Sequence, residues 1–424
     1  MTPPHGCSLA ALLICGVVPA LSQPRGLGSS LQPDWTCALP PGIEWAEAVG
    51  HGTASAVLLS TPAGQLHLID LRTGTPRLTE PLCASRGVRP VEGQKTADAA
   101  YCFDRHAAYA ICLSGTAGLK WRYGETRGGD EEFQGDPETL TGWSLAAVTK
   151  AGLLLVNVDG RAVLLAHADG HVRWELRLGP LPVSRLHVWE TTAAVLWKIG
   201  GVVKAVFLNL GEERPTPVPR DLGDTWPVWS TLVPEGVLTV APHEATVCPI
   251  AGPPRRIPLD ISEFTTQAVV TWTSAAGTRL LVGDGPYVVA FDLVTGEKLW
   301  REDIGSGHGH RVLSLGLQDD RVIVASDCCV LVYDAFIGHP LTGCPLPGAI
   351  KVSSQWISGL EALYVVYRPS GDPSPALRLA RVASLDEPVR TSELRSTGEI
   401  RQVLWTGRQM VLVEPDGLRA YTLP

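Results

Sequence analysis

The sequence predicts an all-β protein, a β-propeller of four-stranded antiparallel blades, on three observations. A strand–turn–strand unit recurs along the chain with a period of about 42 residues. Short runs rich in Val, Leu and Ile alternate with turns rich in Gly, Pro and Asp. No long segment with helical periodicity follows residue 22. The ring is expected to hold eight blades, within a range of seven to nine.

The repeat is clearest in residues 287–300, YVVAFDLVTGEKLW. Related stretches occupy 66–78, 109–121, 163–174 and 330–341, with weaker copies at 205–217 and 246–258. Each is an apolar strand, a turn of small or acidic residues ending in Gly, and a second short strand. The turn glycines, Gly74, Gly118, Gly170, Gly211, Gly252, Gly296 and Gly338, lie 44, 52, 41, 41, 44 and 42 residues apart. The one long interval is explained by an insertion, residues 126–141, a polar, acid-rich loop. Residues 311–341 show all four strands of one unit, with a turn at Asp319–Asp320. A degenerate copy at 376–394 has no turn glycine. The last segment, 399–424, supplies only three strands. A fourth is expected from residues 34–40, DWTCALP, so that the two termini share a blade and the ring has no open edge.

Composition narrows the functional classes. The net charge is −8 and no basic block occurs, so nothing would neutralise a row of phosphates and a nucleic-acid partner is not expected. With 44 Gly and 34 Pro, the chain suits many short strands joined by tight turns. Residues 1–22 read as a cleaved signal peptide: an apolar run from Ser8 to Val18, then small residues Ala20 and Ser22 before Gln23. Export to the periplasm or the extracellular space follows, with 23–33 a flexible linker and 34–424 a single propeller domain. The run at Ser8–Val18 is too short to span a bilayer, and no other run is longer; the mature chain is expected to be monomeric without a membrane anchor.

The segment AFDLVTGEKLW, residues 290–300, resembles the A-x-D-x-x-T-G-x-x-x-W repeat of PQQ-like (quinoprotein alcohol dehydrogenase-like) β-propellers. Residues 111–121 and 164–174 match in part, ending in Trp121 and Trp174. The first unit keeps Asp70, Thr73 and Gly74 but has Leu78 where Trp would stand; Asp334 and Gly338 mark the unit at 330–341. The resemblance covers about residues 43–424. It implies the propeller fold, and the family includes both quinoprotein dehydrogenases and cofactor-free propellers that bind protein partners. The motif residues read as structural. Asp292 accepts hydrogen bonds from its own turn, Thr295 supports it, Gly296 supplies a positive φ, and Trp300 covers the gap to the next blade.

Features outside the repeat carry the functional question. A PQQ site would need calcium held by acidic and Asn ligands. Only Asn157 and Asn209 are present, both in turn contexts, so no cofactor is expected. The adjacent Cys328 and Cys329 admit a vicinal disulfide, two thiols or a cross-hairpin bridge. Symmetry about Phe336 favours a Cys328–Cys344 bridge, and a similar argument pairs Cys102 with Cys112. His308 and His310 could face one metal ion if a third ligand were near. Asp130, Glu131, Glu132 and Phe133, in the acidic insertion, form a candidate interaction loop. The leading functional expectation is a non-catalytic exported platform for a protein partner. A PQQ-dependent oxidoreductase and a carbohydrate-binding propeller using Trp143, Trp189, Trp197, Trp226, Trp229 or Trp356 are the alternatives.

Overall fold

Strand alternation in this chain sorts side chains between two neighbouring sheets, and that sorting builds the ring. The computed structural model describes residues 30–424 except 51–54, 63–64, 79–87, 92–97, 105, 115–116, 125–141, 180–182, 306–309, 347–348, 370–376, 385–388 and 397–398. Within residues 280–291, Leu280, Val282, Val289 and Phe291 face the preceding sheet. Leu281, Val288 and Ala290 face the following one. A central strand buried on both faces therefore reads as a continuous apolar run, while period two decides which neighbour each residue meets.

Nine four-stranded antiparallel sheets result. Blades 1 to 8 span 45–78, 89–124, 143–177, 183–223, 229–258, 269–303, 312–345 and 350–394. Blade 9 combines 402–422 with the strand Trp35–Ala38. First strands of neighbouring blades touch from blade 3 to blade 7 and from blade 8 through blade 9 to blade 1, where Trp45–Val49 meets Gln402–Thr406, so they line the centre of the ring. We label the strands of each blade A to D from the centre outwards. There is no single core. Nine apolar clusters occur, each shared by two consecutive blades. A chain of this length thus stays stable without a large globular interior.

The count is nine, at the upper end of the expected range. The degenerate copy is a true blade: Leu377–Val382 and Arg390–Leu394 pair antiparallel without a turn glycine. Closure follows the expected route. Trp35–Ala38 pairs with Gly417–Thr422, Trp35 opposite Ala420 and Ala38 opposite Gly417. Residues 30–33, expected as linker, lie along blade 8: Leu31 bridges Leu394, and its N–H donates to the Glu393 carbonyl at 2.9 Å.

Two sequence expectations are corrected here. Gly118 is not a turn residue; it lies in the strand Gly118–Gly124, opposite Cys112. The two cross-hairpin disulfides do not form. The hairpin pairs Tyr333 with Pro340 and a β-bulge between Val332 and Tyr333 adds one further residue, so Cys344 stands opposite Val330, not Cys328, and remains a free thiol. Cys112 stands opposite Ala99 and Cys102 opposite Tyr109, because the hairpin turns tightly after Asp104; both are free thiols. Symmetry about an assumed turn centre missed these offsets, because both turn centres lie away from the assumed ones and in blade 7 a bulged residue moves every later partner by one more.

Three turn glycines carry a close approach. A Cβ on Gly338, at φ +72°, would lie 2.6 Å from the Trp300 ring; Gly74 meets Trp35 and Gly170 meets Trp121 in the same way. Gly338→Ala must therefore displace the indole and hold a left-handed backbone. We expect a loss of about 1–3 kcal/mol in urea unfolding followed by Trp fluorescence. An unchanged midpoint would show that the indole does not seat on this turn.

Candidate functional site

Antiparallel alternation puts the described A–B and C–D turns on one face of the ring. The B–C turns and the connections between blades lie on the other. The C–D face contains the repeat motif. Asp292 Oδ1 accepts the N–H groups of Val294 and Thr295, both at 2.7 Å. Asp70 Oδ1 accepts those of Arg72 and Thr73. Asp334 Oδ1 accepts those of Phe336 and Ile337. Thr295 Oγ1 accepts the N–H of Glu297 at 3.2 Å. Burial raises the Asp70 carboxyl pKa, but the side chain of Arg77 and the two backbone donors outweigh it and hold the group below its ordinary value. At Asp292 burial is likewise overcome, here by the backbone and side chain of Thr295 and the N–H of Val294. The motif's work is to build a corner.

The Trp positions do more than cover a gap. Trp35 Nε1 donates to the Leu71 carbonyl of the next blade at 2.7 Å, and Trp121 Nε1 to that of His167 at 3.1 Å. Where Trp is missing, Arg takes over the link. Arg77 donates to Leu113 O at 3.0 Å, Arg220 to Ile250 O at 2.9 Å, and Arg255 to Val294 O at 2.7 Å. Sequence reasoning missed this exchange; the available signal was an Arg three residues after Gly74 and after Gly252. The indole N–H groups of Trp174 and Trp300 have no hydrogen-bond partner, so those two rings act by packing.

With the corners held rigid, the residues they present become informative. In blades 5, 6 and 7 the C–D turns present Ile250, Val294, Phe336 and Ile337, exposed by 42%, 52%, 48% and 60%. Blade 1 presents Arg72 and Thr73 at the equivalent place, blade 3 Ala168 and Asp169, and blade 4 Glu212. Phe336 is oriented by Arg279, whose guanidinium lies 4.1 Å from the ring centroid and donates to the Phe336 carbonyl. Three consecutive blades thus hold apolar side chains outward on one face. The acidic loop with Asp130, Glu131, Glu132 and Phe133 lies outside the described residues.

At the centre of the ring, Arg185 and His187 on one A strand meet Ser230 on the next. Arg185 Nη1 and His187 Nε2 each lie 2.9 Å from Ser230 Oγ, and Arg185 stacks over Trp226. Burial, with the Arg185 charge second, lowers the His187 pKa to about 4, so the imidazole is neutral at pH 7. A Ser–His contact is also the start of a nucleophilic site. Here an Arg donates to the same hydroxyl and no carboxylate contact to His187 is described, so the arrangement reads as a clamp between blades 4 and 5.

Asn157 Oδ1 accepts the N–H groups of Asp159 and Arg161, and Asn209 Oδ1 that of Gly211, so both amide oxygens serve their own turns. That does not fit a calcium-held quinone. Trp143, Trp197 and Trp356 are buried, and Trp189, Trp226 and Trp229, partly buried, pack against inter-blade clusters. Cys328 and Cys329 carry thiols. His308 lies outside the described residues. His310, however, meets Asp327 and Cys328 on the B–C face of blade 7.

No protein-family model and no curated protein matches the sequence. Solved structures do. A eukaryotic initiation factor aligns at 10% identity and TM-score 0.55, covering 84% of this chain and 90% of the other. The dihydro-heme d1 dehydrogenase NirN in complex with DHE aligns at 12% identity and TM-score 0.51, covering 84% and 76%. BamB from Moraxella catarrhalis aligns at 12% identity and TM-score 0.45, covering 93% and 100%. The likenesses at TM-scores 0.55 and 0.51 support the fold of this chain and, at these identities, say nothing of its activity.

Proposed function

We propose that this protein is a non-catalytic, exported β-propeller of the PQQ-like class that serves as a rigid platform for a protein partner in the cell envelope. The observation that carries this reading is the apolar arc of blades 5 to 7, Ile250, Val294, Phe336 and Ile337. Each side chain sits on a turn held by an Asp side chain or by an Arg link from the preceding blade. Such a surface is presented at little entropic cost, which favours binding by a pre-organised face. Exposed apolar residues grouped on one face mark interaction surfaces. PQQ-like kinship is supported by the Asp–Thr–Gly corner and by the Trp that seats on the next blade. Export is supported by the signal-like residues 1–22; amino-terminal sequencing of mature protein should begin at Gln23.

The test is capture of envelope proteins on the immobilised wild-type chain. The double variant Phe336→Asp, Ile337→Asp should recover at least about tenfold less partner, because an anchor residue contributes about 2 kcal/mol or more to binding. Its unfolding midpoint should fall only slightly, since Ile337 is exposed and the Phe336 ring loses little beyond its contact with Arg279. A variant lacking 126–141 tests the acidic loop separately. Undiminished capture by the double variant would remove the arc from the interface. Alcohol oxidation by protein reconstituted with PQQ and Ca²⁺ would overturn the non-catalytic reading.

A further inference from the structure

His310, Asp327 and Cys328 place an imidazole, a carboxylate and a thiol together, and we infer that they bind a divalent cation of the zinc class. One ligand atom from each lies within 4.8 Å of the other two. Two chain segments bring them there: His310 ends the connection from blade 6 to blade 7, and the other two form the turn between Arg321–Ser326 and Cys329–Asp334. That turn is fixed from beneath. Ser326 Oγ accepts the N–H of Cys328 at 3.2 Å and of Cys329 at 3.0 Å, which holds the Asp327 and Cys328 side chains beside the imidazole.

The dimensions fit a tetrahedral ion. Ligands at zinc–nitrogen, zinc–oxygen and zinc–sulfur distances stand roughly 3.3–3.7 Å apart along the tetrahedron's edges. His310 Nδ1 and Asp327 Oδ1 are 3.2 Å apart, already one such edge. The sulfur needs to close by at most about 1.1–1.5 Å, a side-chain rotation at a half-buried residue. The charges also balance: an aspartate, a thiolate and a neutral imidazole cancel a dication. The Cys328 proton leaves to solvent as the ion binds. A mixed nitrogen, oxygen and sulfur set suits zinc over magnesium or calcium, which take oxygen ligands. The Asp327 side chain is 49% exposed and that of His310 20%, so the site opens to solvent on one side and keeps a fourth position for water. It lies on the face opposite the apolar arc, and it does not depend on the platform reading.

The experiment titrates the full-length, reduced protein with Zn²⁺ against a chromophoric chelator, and with Co²⁺ followed by absorption. One ion per chain and a thiolate-to-cobalt charge-transfer band are expected. Cys328→Ser should abolish the band, and Cys328→Ser, Asp327→Asn and His310→Gln should each weaken Zn²⁺ binding by more than about tenfold. Cys112→Ser, on a partly exposed thiol elsewhere, should change neither. His310→Gln keeps the test sharp if the Cys328 variant unfolds. Absence of saturable one-to-one uptake, or uptake and a band that survive in the Cys328 or His310 variants, would overturn the assignment.

Discussion

Replacing Trp35 by Ala should destabilise the protein by about 3–5 kcal/mol, the range for deleting a large buried aromatic side chain. Trp35 is almost fully buried in the cluster shared by blades 9 and 1, beside Ile69, Leu71 and Val411. Its N–H donates to the Leu71 carbonyl, and its ring lies against Gly74. The residue also belongs to the strand that closes the ring. Asp34 adds to that closure: its N–H donates to the Ala420 carbonyl at 2.8 Å, and its carboxylate accepts from Thr422 Oγ1 at 2.8 Å. Loss of the indole therefore leaves a cavity, a carbonyl without its donor and a loosened edge strand. Urea unfolding of wild type, Trp35→Ala and Trp35→Phe distinguishes these losses. The Phe variant should retain part of the packing energy and lose only the hydrogen bond and residual volume. A loss below about 1 kcal/mol in the Ala variant would mean that the termini add little to the ring.

Stability should fall as the pH drops from about 6.5 to about 4, with His187 responsible for about 3 kcal/mol of the loss. The folded-state pKa of His187 is about 4, against 6.5 for the unperturbed side chain. Between those values the unfolded chain binds a proton that the folded chain refuses, so stability rises with pH across the window and is flat above it. The cause is burial first and the Arg185 charge second. Among the described residues, the groups that act on the imidazole are Arg185 and the Ser230 hydroxyl, and neither offsets a second positive charge. His187→Gln can keep a hydrogen bond to Ser230 but does not titrate. The difference in unfolding free energy between wild type and this variant should change by about 3 kcal/mol from pH 7 to pH 4. His67, also lowered by burial, and the carboxylates remain in both proteins and cancel in that difference. A difference that is constant with pH would show that water or a shift of Arg185 accommodates the protonated ring.

Much of the architecture was legible in the sequence because its signals are local. An Asp that accepts two N–H groups of its own turn needs only three or four neighbours, so Asp70, Asp292 and Asp334 could be assigned roles from their spacing. The about 42-residue period and the missing fourth strand of the last unit pointed to a closed ring. Nine units could be counted in the sequence, and the expectation of eight came from discounting one weak copy. The eighth blade has no turn glycine, yet Val365, Leu377 and Leu379 bury themselves as the other blades do. The candidate sites were much less legible. Ile250, Val294 and Phe336 look like ordinary apolar residues until rigid corners turn them outward.

By itself the sequence determined which residues make strands, which make corners, and that the first strand must join the last. Only the tertiary structure decided which residues meet. The position of the turn, with the bulge after Val332, set Cys344 opposite Val330, and the fold of blade 7 brought His310 to Asp327 and Cys328. Alternation and turn chemistry act over a few residues and are written in the local pattern. Side-chain partners across a blade depend on register, which a single extra residue resets, and on ring closure, which involves the whole chain.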